Sequence, residues 1–106
     1  MPKYLFMGSY TLDGVKGLAK DGGTKRRQAA QRAVESVGGK MEALYFTFGE
    51  RDFVGIADLP DNVSAAALSL AVSAAGGSNF KTIVLLTPDE MDQAIRKEIS
   101  FTPPGR

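Results

Sequence analysis

The sequence predicts one α+β domain in which four strands form an antiparallel sheet and helices cover one of its faces. Two observations support this class. Residues 41–58 (MEALYFTFGERDFVGIAD) are rich in aromatic and β-branched residues on both sides of Gly49-Glu50, which is typical of a β-hairpin. The segments around this hairpin follow the order strand, helix, hairpin, helix, strand. A chain of 106 residues has room for one such domain.

The first strand is predicted for residues 3–11 (KYLFMGSYT), which are rich in aromatic residues. The next segment, residues 13–20, has apolar residues at helical spacing but also contains Gly14 and Gly17. Each glycine costs about 1 kcal/mol relative to alanine inside a helix, so we expect a short or irregular helix here. A regular helix is predicted for residues 24–37, where apolar residues recur at helical spacing before two glycines end the pattern.

The central hairpin is predicted to turn at Gly49-Glu50, which would pair Phe48 with Phe53 across a two-residue turn. Pro60 follows the second strand and ends it, because proline has no N–H to donate to a sheet. The next helix is predicted for residues 64–75, where alanines dominate the apolar positions. Such a helix can approach a sheet closely.

The last strand is predicted for residues 80–86 (FKTIVLL). The four residues Thr87-Pro88-Asp89-Glu90 have the spacing of a capping box, which predicts a final helix to about Lys97. Residues 100–106 are expected to form a flexible tail, so the domain itself would span residues 1–99. The complete order is the βαββαβ order of ferredoxin-like folds, with a C-terminal helix added.

Alternation along the strands divides their side chains between two faces. We expect the purely apolar lines to lie beneath the helices; they are Leu5 and Met7, Leu44, Phe46 and Phe48, and Ile83 and Leu85. The opposite face, which carries the hydroxyl groups, is predicted to meet a ligand or a second chain. The candidate ligand-binding residues on that face are Tyr10, Tyr45, Thr47, Asp58 and Thr82. An alternative is that these tyrosines only complete a subunit interface, where tyrosine is enriched.

A homodimer through this second face is also predicted. Two helices can cover only one side of the sheet, so the other side would expose a larger apolar patch than a soluble monomer usually does. The candidate interface residues are Val54, Ile56 and Val84.

Composition excludes several classes of function. Thirteen Lys and Arg against twelve Asp and Glu leave a formal net charge of +1, too small for a nucleic-acid partner. We therefore interpret the basic run Lys25-Arg26-Arg27, with Arg32, as a solvated helix face. The chain has no Cys and no His, so it cannot build a Ser-His triad or a Cys- or His-based metal site, and no metal or cofactor is predicted. No segment resembles a signal peptide or a membrane span, so we expect a cytoplasmic protein without a membrane partner.

Several segments in the same order resemble the GYD-domain family, a group of small bacterial proteins named after a Gly-x-Tyr-Asp turn. The matching pieces are Met1 to Tyr4, Tyr10-Thr11, Gly14, Gly38-Gly39-Lys40, Tyr45 to Gly49, Asp52, Pro60-Asp61, and Phe80 to Met91. The turn motif here is Gly49, Arg51 and Asp52, so no role of the family's turn tyrosine carries over to this chain. The resemblance implies a dimeric α+β barrel, a fold shared by cofactor-free monooxygenases, isomerases and ligand-sensing domains, and it implies no particular activity.

Two functional hypotheses follow. The favoured one is a binding or interaction module for a small, mostly apolar molecule, because no good acid-base pair is visible. The alternative is a cofactor-independent enzyme of the monooxygenase or isomerase type, in which Tyr10, Tyr45 or Asp58 would transfer a proton. The polar pair Arg51-Asp52 could orient a substrate, but we favour a structural role in the hairpin turn, where aspartate is common.

Overall fold

The computed structural model describes all 106 residues of the chain. Its elements are, in chain order, β1 (Lys3–Tyr10), α1 (Leu12–Asp21), α2 (Gly23–Ser36), β2 (Lys40–Phe46), β3 (Phe53–Asp58), α3 (Asn62–Ala74), β4 (Ser78–Leu85) and α4 (Pro88–Arg96). The predicted α+β class is confirmed. The first connection holds two helices, because Gly22 adopts a φ of 84° between α1 and α2 and breaks the helical path there.

The strands form one sheet in the order β2-β3-β1-β4, and each neighbouring pair is antiparallel. Strand β3 therefore lies between β1 and β2, which α1 and α2 connect. In the same way β1 lies between β3 and β4, which α3 connects. Each helical connection thus joins two strands with one strand inserted between them, as in a split βαβ unit.

The regular pairing of the hairpin ends two residues earlier on β2 than the sequence predicts. Phe46, not Phe48, pairs with Phe53, so the connection is a loop over residues 47–52. The Phe48 side chain is 99% exposed. Within the loop the Thr47 amide donates to the Asp52 carbonyl at 2.8 Å, and the Thr47 hydroxyl donates to the Arg51 carbonyl at 2.6 Å. The Thr47 amide bond continues the register of Phe46 and Phe53 by one pair, so Gly49 and Glu50 remain at the centre of the connection.

The core lies between the sheet and the helices α2 and α3. Its buried members are Tyr4, Phe6, Val34, Ala57, Leu59, Ala65 and Leu68. The Tyr4 ring is 1% exposed, and its hydroxyl donates to Asn62 Oδ1 at the start of α3, at 2.6 Å. A buried tyrosine hydroxyl needs such a partner, so this bond fixes α3 on the sheet.

The predicted faces are correct for β2 and β3 but inverted for β1 and β4. Cross-strand partners share a face of the sheet. The buried Phe6 in β1 lies opposite Gly55 in β3 and opposite Thr82 in β4. Tyr4 and Phe6 therefore lie on the covered face, which is the side of the sheet that packs against the helices. Leu5 lies on the opposite side, the open face.

Two lysines explain the inversion. Lys3 has the same parity as Leu5 in β1, and Lys81 has the same parity as Ile83 in β4. Placing either line beneath the helices would bury an unpaired ammonium, which is very costly. On the open face Lys3 instead reaches the carboxylates of Glu42 and Asp58, each at 3.0 Å.

Helix α4 stands apart from the core. Its predicted capping box is present: the Glu90 amide donates to the Thr87 hydroxyl oxygen, and the Thr87 amide donates to the Glu90 carboxylate. None of its residues is buried, and the whole chain measures 57 × 32 × 22 Å. None of the helices is both long enough and apolar enough to cross a lipid bilayer.

Candidate functional site

A cavity lies between the covered face of the sheet and helices α2 and α3. It has a volume of about 170 Å³, and 14 of its 17 lining residues are hydrophobic. In another protein an apolar cavity of about 150 Å³ holds one benzene molecule. The space is therefore sufficient for a single ring or a short alkyl chain.

Aromatic rings form the floor of this cavity. The ring centroids of Phe6 and Phe80 are 5.3 Å apart, those of Phe53 and Phe80 are 6.2 Å apart, and those of Tyr10 and Phe53 are 5.2 Å apart. These distances are typical of favourable aromatic pairs. The roof on α2 consists of small residues, Ala29, Ala30 and Ala33. Large rings opposite small side chains leave the space open.

The polar end of the cavity is formed by Tyr10, Arg26 and Ser78. Tyr10 is the last residue of β1, and Arg26 lies in the first turns of α2. All three residues also line a wider groove of about 510 Å³, which α1, α2 and α3 border. The two spaces meet at these three side chains and at the apolar Ala33, Leu68 and Val72, so the polar groups lie at the opening of the cavity.

The phenol of Tyr10 is a hydrogen-bond donor at neutral pH. Burial raises its pKa above the ordinary value of 10.0, and the charge of Asp52 acts in the same direction. The positive charge of Arg26 lowers the pKa but does not cancel the rise. The phenol can therefore donate to a ligand oxygen, and it is a poor base near pH 7.

Arg26 is exposed, in agreement with its interpretation as part of a solvated helix face, and it also lines the opening of the cavity. Its Nη1 atom lies 3.9 Å from Asp21 Oδ2, and its side chain is partly exposed. At that distance the pair is a weak ion pair without a hydrogen bond, so the guanidinium keeps its donors for other partners. The sequence did contain a signal in its helical spacing, because Arg26 lies one turn before Ala30 and two turns before Ala33 on the cavity side of α2.

The turn aspartate positions Tyr10. Asp52 Oδ2 accepts a hydrogen bond from the Tyr10 amide at 2.8 Å, and the Asp52 amide donates to the Gly8 carbonyl at 2.8 Å. Asp52 therefore extends the pairing of β1 with β3 by one residue before Phe53, the first residue of β3. Gly49 has a φ of 137°, a backbone conformation that favours glycine. Arg51 is exposed and does not line the cavity.

The sequence profile described as GYD domain matches residues 4–95 of this chain. The chain belongs to the GYD-domain family. The match begins in β1 and reaches into α4, so it covers the sheet, the cavity and the turn. A search among curated proteins found no match. In this GYD-domain protein the turn reads Gly49-Glu50-Arg51-Asp52, and the aspartate is the residue that contacts the strand carrying Tyr10.

The sequence predicted that the five candidate ligand-binding residues share one face of the sheet. In the structure of the GYD domain they do not. Tyr10 and Thr82 lie on the covered side, Tyr45 and Asp58 lie on the open side, and Thr47 belongs to the turn. Of the five, Tyr10 alone lines the cavity. The other four have different surroundings.

The Thr82 hydroxyl lies 2.7 Å from the Ser69 hydroxyl of α3, away from the cavity. Asp58 accepts a hydrogen bond from Lys3, and the Tyr45 side chain is 68% exposed. The predicted interface group is divided as well. Val54 and Ile56 lie on the open face, whereas Val84 lies opposite Tyr4 on the other side of the sheet.

Proposed function

We propose that this GYD-domain protein binds a small, mostly apolar molecule in the cavity between the sheet and helices α2 and α3. The supporting observation is an apolar, ring-lined space of about 170 Å³ with a protonated phenol at its opening. A ligand in this space would contact residues from the sheet, α2 and α3, which only the folded chain brings together. A ligand that fills the cavity should therefore stabilise the fold as well as bind it.

The alternative, a cofactor-independent enzyme, has less support in the geometry. Of the three residues considered for proton transfer, Tyr45 and Asp58 lie on the far side of the sheet from the cavity. Tyr10 is at the cavity, but its raised pKa makes it a proton donor with no neighbouring base on the cavity wall. Ligand binding, unlike proton transfer, requires only a hydrogen-bond donor such as the Tyr10 hydroxyl.

Thermal unfolding with single-ring probes tests the binding proposal. Indole and toluene should raise the melting temperature of the wild-type protein in proportion to the logarithm of their concentration. Ala30→Leu fills the cavity roof and should abolish this rise. Ala66→Leu is the matched control, because Ala66 is exposed on α3 and lines no cavity. If neither probe shifts the wild-type transition, the proposal is wrong.

The proposal also includes a homodimer formed through the open face. That face carries Leu5, Val54 and Ile56 near its centre, and Tyr45 and Ile83 are substantially exposed on it. A stable interface usually buries about 1,600 Å² in total, and two-fold pairing is its commonest form. The ion pairs from Lys3 to Glu42 and Asp58 provide the polar rim that such interfaces have.

A further inference from the structure

We infer that the cavity takes a ligand with an anionic oxygen head group, in the simplest case a carboxylate, which the Arg26 guanidinium and the Tyr10 hydroxyl bind together. This inference rests on the proposed function, because it specifies the class of molecule that the apolar cavity accepts.

The first argument is the separation of polar and apolar groups in the cavity. The aromatic floor and the alanine roof are apolar, whereas Tyr10, Arg26 and Ser78 lie where the cavity meets the wider groove. A molecule with one ring and one polar end can place the ring between floor and roof and keep its head group at the opening. Guanidinium presents a planar fork of donors that matches a carboxylate, and a phenol adds a third donor.

The second argument is the local charge. Arg26 follows the start of α2, whose N-cap residue Gly22 makes no side-chain hydrogen bond and whose first turn contains no acidic residue. The free N–H groups and the helix dipole therefore add positive potential near the guanidinium. This helix start borders the cavity wall, because a Cβ atom built on Gly23 would lie 3.2 Å from the Phe46 ring.

Asp21 is the carboxylate that already occupies this positive region. It lies 3.9 Å from both the Arg26 guanidinium and the Lys25 ammonium, whose side chains are 44% and 70% exposed. An exposed pair at this distance contributes little, so a ligand carboxylate with better geometry can replace it. Two further carboxylates, Asp52 near Tyr10 and Asp13 on the groove wall, would repel the anionic head group of the ligand. Removing Asp21 should consequently strengthen binding.

Isothermal titration of the full-length protein with phenylacetate and with its neutral isostere phenylacetamide tests the inference. At pH 7 and low salt, phenylacetate should bind wild-type protein about tenfold more tightly, since a hydrogen bond to a charged group contributes more than a neutral one. Arg26→Gln should bring this ratio close to one while phenylacetamide still binds. Arg26→Lys should give an intermediate ratio because it keeps the charge and loses the fork. Asp21→Asn should raise the ratio.

Arg27→Gln is the control, because Arg27 donates to Gln31 and does not line the cavity. Its ratio should equal the wild-type ratio. If both probes bind wild-type protein equally, or if Arg27→Gln and Arg26→Gln reduce the ratio alike, the head-group inference is wrong and the binding proposal stands. If phenylacetate, phenylacetamide and the hydrocarbon probe toluene all fail to bind, both are wrong.

Discussion

The two faces of the sheet are both apolar, yet only one of them is buried within the chain. On the covered face Tyr4, Phe6 and Ala57 are at most 6% exposed. On the open face Tyr45 and Ile83 are 68% and 45% exposed. The difference shows that apolar content alone does not decide which face helices cover. The positions of charges and of very small residues decide it.

Each face has one of these features. The open face carries the lysines of β1 and β4, whose ammonium groups need solvent or a carboxylate. The covered face carries Gly8, where an added Cβ would overlap the Asn79 carbonyl oxygen and lie 2.6 Å from the Phe53 ring. A glycine here lets a phenylalanine lie flat across the strand, so the aromatic floor depends on it.

The largest expected effect comes from truncating the covered face. Phe6→Ala should lower the free energy of unfolding by about 3–5 kcal/mol, because it removes a buried ring from the core. Its neighbour Leu5 is only partly buried within one chain, so Leu5→Ala should cost about 1 kcal/mol at protein concentrations where the chain is monomeric. Urea denaturation of the two variants gives both values. Equal losses would show that the faces are not distinct.

A charge on the open face should separate the proposed dimer. Ile56→Lys would place an unpaired ammonium in the interface, which costs several kcal/mol if the two subunits stay together. Sedimentation equilibrium should give the mass of two chains for wild-type protein and of one chain for the variant. Val84→Lys is the matched control, because Val84 lies on the other side of the sheet and is exposed. A wild-type mass of one chain at micromolar concentration would remove the dimer from the proposal.

A smaller effect distinguishes the two tyrosines. Tyr4→Phe loses the buried hydrogen bond to Asn62 and should destabilise the protein by about 1 kcal/mol. Tyr45→Phe should change stability very little, because that side chain is exposed and no hydrogen bond of its hydroxyl is present. Thermal or urea unfolding compares them. With Tyr45 on the open face, its substitution should also leave binding in the cavity unchanged, and Tyr10→Phe becomes the variant that weakens it.

The smallest effect on global stability is expected at α4. Thr87→Ala removes the capping interaction, which contributes about 1 kcal/mol to a helix. Since no residue of α4 is buried, this loss should appear as reduced helicity in circular dichroism while the main melting transition stays in place. A lower melting temperature of the core would mean that α4 packs on another surface, and a second subunit is then the partner to test.

Local signals were sufficient to predict the order of the elements. The capping box at Thr87 and the glycine pair after α2 involve residues a few positions apart, and both lie where the sequence placed them. Face assignment failed for β1 and β4 because these strands have apolar residues at both parities, so alternation could not choose between them. The lysine parity in β1 and β4 was present in the sequence and would have been decisive.

The candidate site was less predictable because its contacts join distant residues. The Tyr10 amide donates a hydrogen bond to the side chain of Asp52, 42 positions away. The Tyr4 hydroxyl donates to the side chain of Asn62, 58 positions away. Arg26 reaches the cavity only because the break at Gly22 turns α2 back along the sheet. None of these distances can be read from periodicity, which describes one element at a time.

The bond between Asp52 and the Tyr10 amide makes that single proton an experimental reporter. The amide is held by a carboxylate of the turn. Its exchange with deuterated solvent therefore follows the opening of residues 47–52, independently of the unfolding of the sheet. The Tyr10 side chain lies at the mouth of the cavity. One amide cross-peak in an NMR spectrum thus shows whether a probe bound at the cavity mouth slows the opening of the GYD turn.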